Sequence, residues 1–442
     1  MNLSIISRVL NVPCRHDRLI SSITVDSRQV QPEQLFVAIR GERFDGHDFI
    51  SDVAHLGAAA VICEHPVPNV AIPQLVVPST VNALAAIATW YRQQFTCPII
   101  AVTGSNGKTT VKEMIAHILP SPAFATQGNF NNHIGAPLSV LNLHAEHRYA
   151  VFELGANHVG EIAHTVAIVQ PQVALINNIG PAHIEGFGSI DGVARAKGEI
   201  YQGLPADGTL VINDDDAYAH FWDDKVTEQR TALRFSMMYP ASVYAEDILL
   251  LQNGNAEFQL VLPSGQARVQ LKVPGIHQVS NALAAAACCY VVGIPLARIV
   301  EGLEAFNGVS GRMTIHTGKQ QATIIDDTYN ANLRSTLTAV EVLAKRPGTR
   351  ILVLGDMAEL GDYGERHHEE IGLAAREQGI DWLMTYGTLS AKSTQTFGVN
   401  GQHYDSQQAL AHDLLLRLDA KTTVLVKGSR SAAMEHIVHQ LI

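Results

Sequence analysis

Residues 98–119 read PIIAVTGSNGKTTVKEMIAHIL. PIIAV is a short apolar run rich in β-branched residues, and beyond the glycines Val111, Met114, Ile115, Ile118 and Leu119 recur at helical spacing. The stretch therefore predicts strand, glycine loop and helix. In that order, backbone N–H groups at the helix N-terminus face anionic phosphate oxygens. Lys108 adds positive charge between phosphates, and the Thr109 hydroxyl can reach magnesium. Gly104, Ser105, Asn106, Gly107, Lys108, Thr109 and Thr110 are thus candidate nucleotide-binding residues. The match to the usual phosphate-loop pattern is partial, because glycine is expected five residues before Gly107 and Val102 stands there. The plain alternative is a glycine turn in an ordinary strand-to-helix connection.

At 442 residues the chain is too long for one typical core, and about three domains are expected. Apolar residues make up 47% and charged residues 17%, which predicts a folded chain and not solvated disorder. A net charge of -11 argues against bulk nucleic-acid binding, which needs clustered Lys and Arg. Five cysteines at Cys14, Cys63, Cys97, Cys288 and Cys289 show neither a paired framework nor metal-type spacing, so reduced thiols are expected. The N-terminal stretch lacks the pattern of a signal peptide, and no apolar run reaches the length of a membrane span. The expectation is a cytoplasmic protein without membrane insertion.

Working outward from the loop, the chain reads as three α/β segments, 1–80, 81–311 and 312–442. In the first, SSITVDSRQV, QLFVAIRG and QLVVP read as strands and HDFISDVAHLGAAAVICE as an amphipathic helix. In the second, YAVFEL, VALINNI and GTLVIN read as buried strands of a mostly parallel sheet. Residues 243–273, broken by NGN and PSGQ, read as antiparallel hairpins appended to it, and VSNALAAAACCYVVG as a buried helix. In the third, ATIIDD, RILVLGDM, DWLMTYG and TTVLVKGSRS restart the α/β rhythm. Ligands of open α/β sheets gather at the carboxyl ends of strands, so two such sheets facing each other would enclose a cleft.

Several residues carry chemistry at those strand ends. Glu153 follows an apolar strand and can orient or hold magnesium, or be a solvated strand-end carboxylate. His183 lies in a loop at what should be the same edge and can ligate a metal. Lys197, fourteen residues later, is odd beside a metal unless its charge is removed or it pairs with phosphate; the plain reading is a surface lysine. Asn281 can cap a helix or read a nucleobase edge. Arg312 suits a phosphate and Asp327 ribose hydroxyls, or each belongs to a surface ion pair. Asn129, Asn131 and Asn132 suit sugar or amide groups, or a tight turn. Lys427, Ser429 and Arg430 precede a helix whose start can bind a carboxylate, or simply be capped.

Taken in order, TGSNGKTT, GNFNNHIGAP, ELGANHVGEI, AHIEGFGS, ARAKGEIY, HQVSNALAAA, DDTYNAN, LGDMAELG and VKGSRS resemble the Mur ligases of peptidoglycan synthesis across nearly the whole chain. The partial phosphate loop is that family's own TGxxGKT form. The resemblance implies a small UDP-sugar-binding N-terminal α/β domain, a central P-loop ATPase domain and a C-terminal Rossmann-like ligase domain. Within the family, VDSRQVQPEQLFVAIRGERFDGHDF, ELGANHVGEI, LGDMAELG and VKGSRSAAM resemble the branch that joins D-alanyl-D-alanine to UDP-N-acetylmuramoyl-tripeptide, using ATP and passing through an acyl phosphate. It further implies that Lys108 holds the transferring phosphate, that Thr109 and Glu153 bind magnesium, and that His183 serves a second metal site. Lys197 would be carbamylated, and Asn281, Arg312 and Asp327 would bind the nucleotide. Ser27, Arg28, Gly46, His47 and Asp48 would meet the UDP-sugar, Asn129, Asn131 and Asn132 the muramoyl portion, and Tyr329, Asn330 and Arg430 the peptide end. The DNPR motif of the diaminopimelate-adding relative is absent. Two readings compete: another ATP-dependent amide ligase of the superfamily, resembling folylpolyglutamate synthase, and a nucleotide-dependent switch. A monomer is the default expectation, with only small-molecule substrates as partners.

Overall fold

The computed structural model describes residues 1–14, 16–41, 44–181, 184–223 and 230–442, with backbone alone at 184–185. His183 lies outside the described residues. Among the described residues the strands form three sheets of four, nine and six strands.

The first sheet runs Ile23–Thr24, Leu35–Val37, Ala60–Cys63, Gln74–Val76, every neighbouring pair parallel. Two sequence expectations fail here. SSITVDSRQV keeps only Ile23–Thr24 extended, because the Asp26 carboxylate accepts the Arg28 N–H at 3.0 Å and bends the chain into the 3-10 turn Ser27–Gln29. Such local side-chain bonds compete with a strand ladder. HDFISDVAHLGAAAVICE is likewise not one helix: it is a 3-10 turn Gly46–Phe49, a helix Ile50–His55 and the strand Ala60–Cys63. Gly57 at φ 93° ends the helix, and the apolar run after it is buried on both faces, where period alone cannot separate strand from helix.

The helix Thr80–Arg92 joins the first sheet to the second and belongs to both cores. Ala83, Leu84 and Ile87 pack into the N-terminal core while Ala85 and Ala88 pack into the central one. Alanine on the second face lets the helix approach the central elements closely.

The second sheet has the order Gly265–Pro274, Asn255–Leu262, Val243–Leu250, Thr231–Ser236, Thr209–Asn213, Val173–Ile176, Ile99–Thr103, Tyr149–Glu153, Ala123–Ala125. Val243–Leu250, Asn255–Leu262 and Gly265–Pro274 pair antiparallel, as the hairpin signals predict, and the remaining pairings are parallel. From Ile99–Thr103 the chain goes out to the Ala123–Ala125 edge, returns through Tyr149–Glu153, and then crosses to Val173–Ile176 on the other side. Strand order reverses about Ile99–Thr103, and such a switch point opens a crevice at the carboxyl ends. The predicted buried helix is His277–Val291, with Ala282 to Cys289 inaccessible to solvent.

The third sheet runs Thr314–Thr317, Thr323–Asp327, Thr422–Lys427, Thr349–Gly355, Trp382–Tyr386, Gly401–Tyr404, parallel except for the first pair. The edge strand Thr314–Thr317 is absent from the sequence reading, since TIHT is polar and half-exposed and gives no apolar run. Asp327 and Lys427 end neighbouring strands and are paired in register.

The helix Lys108–Ile118 that carries the phosphate loop is wedged against Leu296–Ala305, where a Cβ on Gly302 would lie 2.5 Å from the Ile118 Cα. Alanine at a helical glycine position ordinarily gains ~1 kcal/mol. Here the clash is with backbone and overpacking costs about 1–3 kcal/mol, so the sign reverses. Gly302→Ala is expected to destabilise the protein by about 1–2 kcal/mol, read as a lower denaturation midpoint in urea; a raised midpoint would show that the two helices separate freely.

Candidate active site

The phosphate loop is built from two segments. Gly104 has φ 150° and Gly107 has φ 77°, and Gly107 caps the helix Lys108–Ile118. A Cβ on Gly107 would sit 2.5 Å from Asn177 Nδ2 and 2.6 Å from Asn281 Oδ1, so glycine is needed for space as well as for backbone conformation. The second segment is the turn after Val173–Ile176. Ser105 N–H donates to the Asn178 carbonyl at 2.9 Å and Asn106 N–H to Asn178 Oδ1 at 2.9 Å. Ser105 Oγ donates to the Gly180 carbonyl at 3.0 Å and accepts the Gly180 N–H at 2.9 Å. Asn177 and Asn178 both donate to the Asn106 carbonyl at 3.0 Å. By periodicity VALINNI reads only as a strand; its terminal amide pair, directly after an apolar run, is the signal of this second segment.

Lys108 folds back so that Nζ donates to the Gly104 carbonyl at 2.7 Å. Burial pushes its ammonium below the ordinary lysine value, with the Glu153 charge opposing that shift. Beside it Thr109 Oγ1 donates to Glu153 Oε2 at 2.7 Å, and Asn131 Nδ2 donates to Glu153 Oε1 at 2.7 Å. Glu153 is buried, so the solvated strand-end reading is excluded. A hydroxyl and a carboxylate brought together next to a phosphate loop are the hard oxygen donors that magnesium prefers, and they fit that ion. No group of three or more His, Cys, Asp or Glu that could hold a metal by itself occurs among the described residues.

Lys197 lies on the helix Ile190–Gln202 and is 1% exposed, which overturns the surface-lysine reading. Its Nζ sits 5.8 Å from the centroid of the Phe187 ring. Burial first, and then the charge of Lys108, hold this amine well below its ordinary range.

The opposite wall comes from the third sheet. Asp327 Oδ2 pairs with Lys427 Nζ at 2.5 Å, Asp327 Oδ1 accepts the Met313 N–H at 3.2 Å, and Lys427 also donates to the Asn330 carbonyl at 3.0 Å. The Asp327–Lys427 pair is therefore buried and not a surface ion pair; burial pushes the Asp327 carboxyl up while Lys427 pulls it down. The Arg312 guanidinium stacks on the Tyr329 ring at 4.2 Å, and its buried Nε has no protein partner. Asn281 is not a cap: it lies in the second turn of His277–Val291, accepting from Asn177 at 3.0 Å and donating to Gln278 at 2.9 Å. His277, pushed down to about 4 by burial and then by Lys427, keeps a buried Nδ1 without a partner.

These walls enclose a cleft of about 680 Å³, within the usual range for ligand sites. It gathers Ser105, Asn106, Gly107, Lys108, Thr110, Asn129, Asn131, Asn132, Glu153, Asn281, Arg312, Asp327, Tyr329 and Asn330. Gly104, Thr109 and Lys197 are buried and do not line it. Asn132 also serves its own turn, its Oδ1 accepting the Gly135 N–H at 2.8 Å. Asn178, His277, Asn332, Arg334 and Lys427 line the cleft too, and sequence reasoning gave none of them a nucleotide role. Arg430 is elsewhere, in a second cleft of about 380 Å³ with Pro181, Asn330, Asn332, Glu359 and Ser429, and is ion-paired with Glu435 at 2.7 Å. Ser27, Arg28, Gly46, His47 and Asp48 line neither cleft. Arg28 pairs with Asp26 at 2.8 Å, and His47 is buried with Nδ1 bonded to Asp45 at 2.6 Å and Nε2 accepting the Glu64 N–H at 2.8 Å.

Comparison with known proteins agrees along the whole chain. Residues 19–92 match the Mur ligase family catalytic domain, 102–289 the Mur ligase middle domain and 311–430 the Mur ligase glutamate ligase domain. UDP-N-acetylmuramoyl-tripeptide--D-alanyl-D-alanine ligase of Escherichia coli (strain K12) is 44% identical over 429 residues, 96% of this chain and 94% of that one. The chain belongs to the Mur ligase family. A crystal structure of MurF from Acinetobacter baumannii is 35% identical with a TM-score of 0.92, covering 99% of this chain and 98% of its own. MurF ligase from Thermotoga maritima, solved in complex with ADP, is 29% identical with a TM-score of 0.84, covering 95% and 96%. The three-part α/β architecture of a Mur ligase is thus present here, and no helix among the described residues is long and apolar enough to cross a membrane.

Two outcomes follow for this Mur ligase. Gly107→Ala forces a non-glycine residue into a left-handed conformation, at ~1–3 kcal/mol, as well as into two amides. Nucleotide binding, measured calorimetrically with ADP, should weaken at least about tenfold; unchanged affinity would mean that the Asn177–Asn281 pair is dispensable. For Lys197 the folded-state pKa lies below its ordinary value of 10.5. Between those two values the unfolded chain holds a proton that the folded chain does not, so burial of the amine costs stability at and below neutral pH, and the cost fades as pH rises toward 10.5. In carbon dioxide-free buffer Lys197→Met should raise the melting temperature at pH 7, with a gain that shrinks by pH 10. A gain independent of pH would show that Lys197 is charged in the fold.

Proposed function

We propose that this chain joins the amine of D-alanyl-D-alanine to the terminal carboxylate of UDP-N-acetylmuramoyl-tripeptide, with ATP converted to ADP and phosphate. The observation that carries the reading is one cleft holding a phosphate loop, the Thr109–Glu153 oxygens and the strand ends of a second sheet, in a chain similar over 96% of its length to a ligase of that name.

The loop amides and Lys108 would hold the ATP phosphates, with Asn281 toward the base, Asp327 toward the ribose and Arg312 toward phosphate. A carboxylate oxygen of the tripeptide attacks the terminal phosphorus, and the bond to the ADP oxygen breaks. The dipeptide amine then attacks the acyl carbon; the new C–N bond forms as the C–O bond to phosphate breaks, and the amine proton passes to solvent or a neighbouring base. Magnesium, when held by Thr109 and Glu153, with carbamylated Lys197 beside it and His183 serving a second metal site, would offset charge on the transferring phosphoryl group. A neutral buried amine is what carbamylation requires, and the depressed Lys197 supports it.

Asn129, Asn131 and Asn132 would meet the muramoyl portion. Ser27, Arg28, Gly46, His47 and Asp48 would form the UDP end. Because both ring nitrogens of His47 are engaged, its part there is to hold the turn that presents Gly46 and Asp48. Tyr329, Asn330 and Arg430 would serve the peptide end, the last two from the second cleft, which shares Asn330 and Asn332 with the first. The working unit would be a cytoplasmic monomer, with divisions near residues 80 and 311.

Phosphate release with ATP, magnesium and UDP-muramoyl-tripeptide should require D-alanyl-D-alanine and yield the UDP-pentapeptide mass. Release that ignores the dipeptide but answers to a single amino acid or a folate would overturn the substrate assignment. Release with no acceptor at all would favour a switch. Lys197→Ala should lose most activity and regain part of it with added short carboxylates; no rescue together with unchanged magnesium affinity would remove the carbamylation.

A further inference from the structure

The seam between the phosphate loop and the third sheet contains a side chain with two simultaneous duties. Asn332 caps the helix Leu333–Ala344: its Oδ1 accepts the Ser335 N–H at 2.9 Å, and Ser335 Oγ accepts the Asn332 N–H at 3.1 Å. That reciprocal pair fixes the amide rotamer. Its Nδ2 therefore has one direction to point, and it donates to Asn106 Oδ1 of the phosphate loop at 2.8 Å.

Asn106 is gripped from its other side by Asn177 and Asn178, and Asn177 continues to Asn281 at 3.0 Å and Asn281 to Gln278 at 2.9 Å. A chain of uncharged amides thus runs from the third sheet's first helix, across the loop, to the buried helix His277–Val291. Two residues on from Asn332, Arg334 Nη1 donates to the Ile179 carbonyl at 3.1 Å, bracing the same seam. Asn332 also lines both clefts, so it stands where the two cavities meet.

We infer that Asn332 is a positioning residue of the ligase reaction: through Asn106 it registers the C-terminal unit, and with it the second cleft, against the phosphate loop. The inference rests on the ATP reading of that loop. It assigns Asn332 no contact with the reacting atoms. Since Asn177 and Asn178 hold the loop independently, losing Asn332 should leave nucleotide affinity nearly intact while the orientation of the opposite wall loosens.

The test uses the full chain carrying Asn332→Ser, which keeps an oxygen to cap the helix but has no donor that reaches Asn106. Its melting temperature and ADP affinity should stay close to wild type, whereas kcat should fall roughly fivefold to tenfold, the usual worth of one hydrogen bond. Asn332→Ala, which loses the cap as well, should melt lower and shows how much of any effect is stability alone. In an Asn106→Ala background, Asn332→Ser should cause no further loss, because the pair acts as a unit. Small-angle scattering of the ADP-bound chain should show a larger radius of gyration for Asn332→Ser than for wild type. That arm needs no acceptor, so it stands even if the dipeptide assignment fails. A wild-type kcat, an additive double-mutant cycle or a wild-type radius of gyration would each overturn the inference.

Discussion

The missing Cβ of Gly107 is the constraint on which the site is assembled. Because that residue is bare, Asn177 and Asn281 can approach within hydrogen-bond distance of each other over the loop, and the Ile99–Thr103 strand end, the Val173–Ile176 strand end and the helix His277–Val291 converge on one point. Everything farther out follows from that convergence. Thr109 falls opposite Glu153, since the first helical turn starts at a fixed place, and Glu153 ends a strand paired directly with Ile99–Thr103. A side chain at position 107 would separate the amides, and with them the elements that carry Thr109 and Glu153.

The site also shows two ways of burying a lysine. Lys427 keeps company with Asp327 and the Asn330 carbonyl, so its charge has partners on the spot. Lys197 Nζ lies over the Phe187 ring, and the charge of Lys108 repels it. Desolvating an unpaired ammonium costs several kcal/mol, which favours the neutral form of the Lys197 amine. One lysine sits against a carboxylate; the other is held by burial and by Lys108 well below the ordinary lysine range. The same residue type, buried in both places, meets different neighbours.

Much of the fold was legible because its signals are local. The loop 104–110, the strands ending at Glu153 and Asp327, the hairpins of 243–273 and the apolar helix around Asn281 each announce themselves through periodicity or glycine placement. The ordered motifs then identified the family. What escaped depended on contacts distant in sequence or on a single polar bond. Asp26 turned a strand-like stretch into a 3-10 turn, and an apolar run buried on both faces split an apparent helix at Gly57. In the site, Lys427 and Asp327 are a hundred residues apart, and nothing in KGSRS names the carboxylate it meets. Asn178 looks like an ordinary turn residue until its strand is set beside the one that carries the loop, and Asn332 until the third sheet is set against that loop.

The two joints between the three sheets differ in kind, and the difference bears on how such an enzyme can work. At the N-terminal joint the helix Thr80–Arg92 runs through both cores, and Ile134, Leu138 and Leu141 of the central unit pack onto the N-terminal core. Parting those surfaces would expose apolar area at about 25 cal/mol per Å², a cost that rises with every step of opening. The C-terminal joint carries polar bonds: Asn332 to Asn106, Arg334 to the Ile179 carbonyl and Arg346 to the Asn253 carbonyl. Each can be exchanged for a bond to water at a net cost of only ~1 kcal/mol. Polar seams of this kind are where domains move relative to one another. The first two sheets thus share apolar packing, whereas the third meets the phosphate loop through directional polar bonds. In the proposed reaction an acyl phosphate would have to be kept from water yet reached by an amine, and a wall that docks through a few directional bonds would suit both needs.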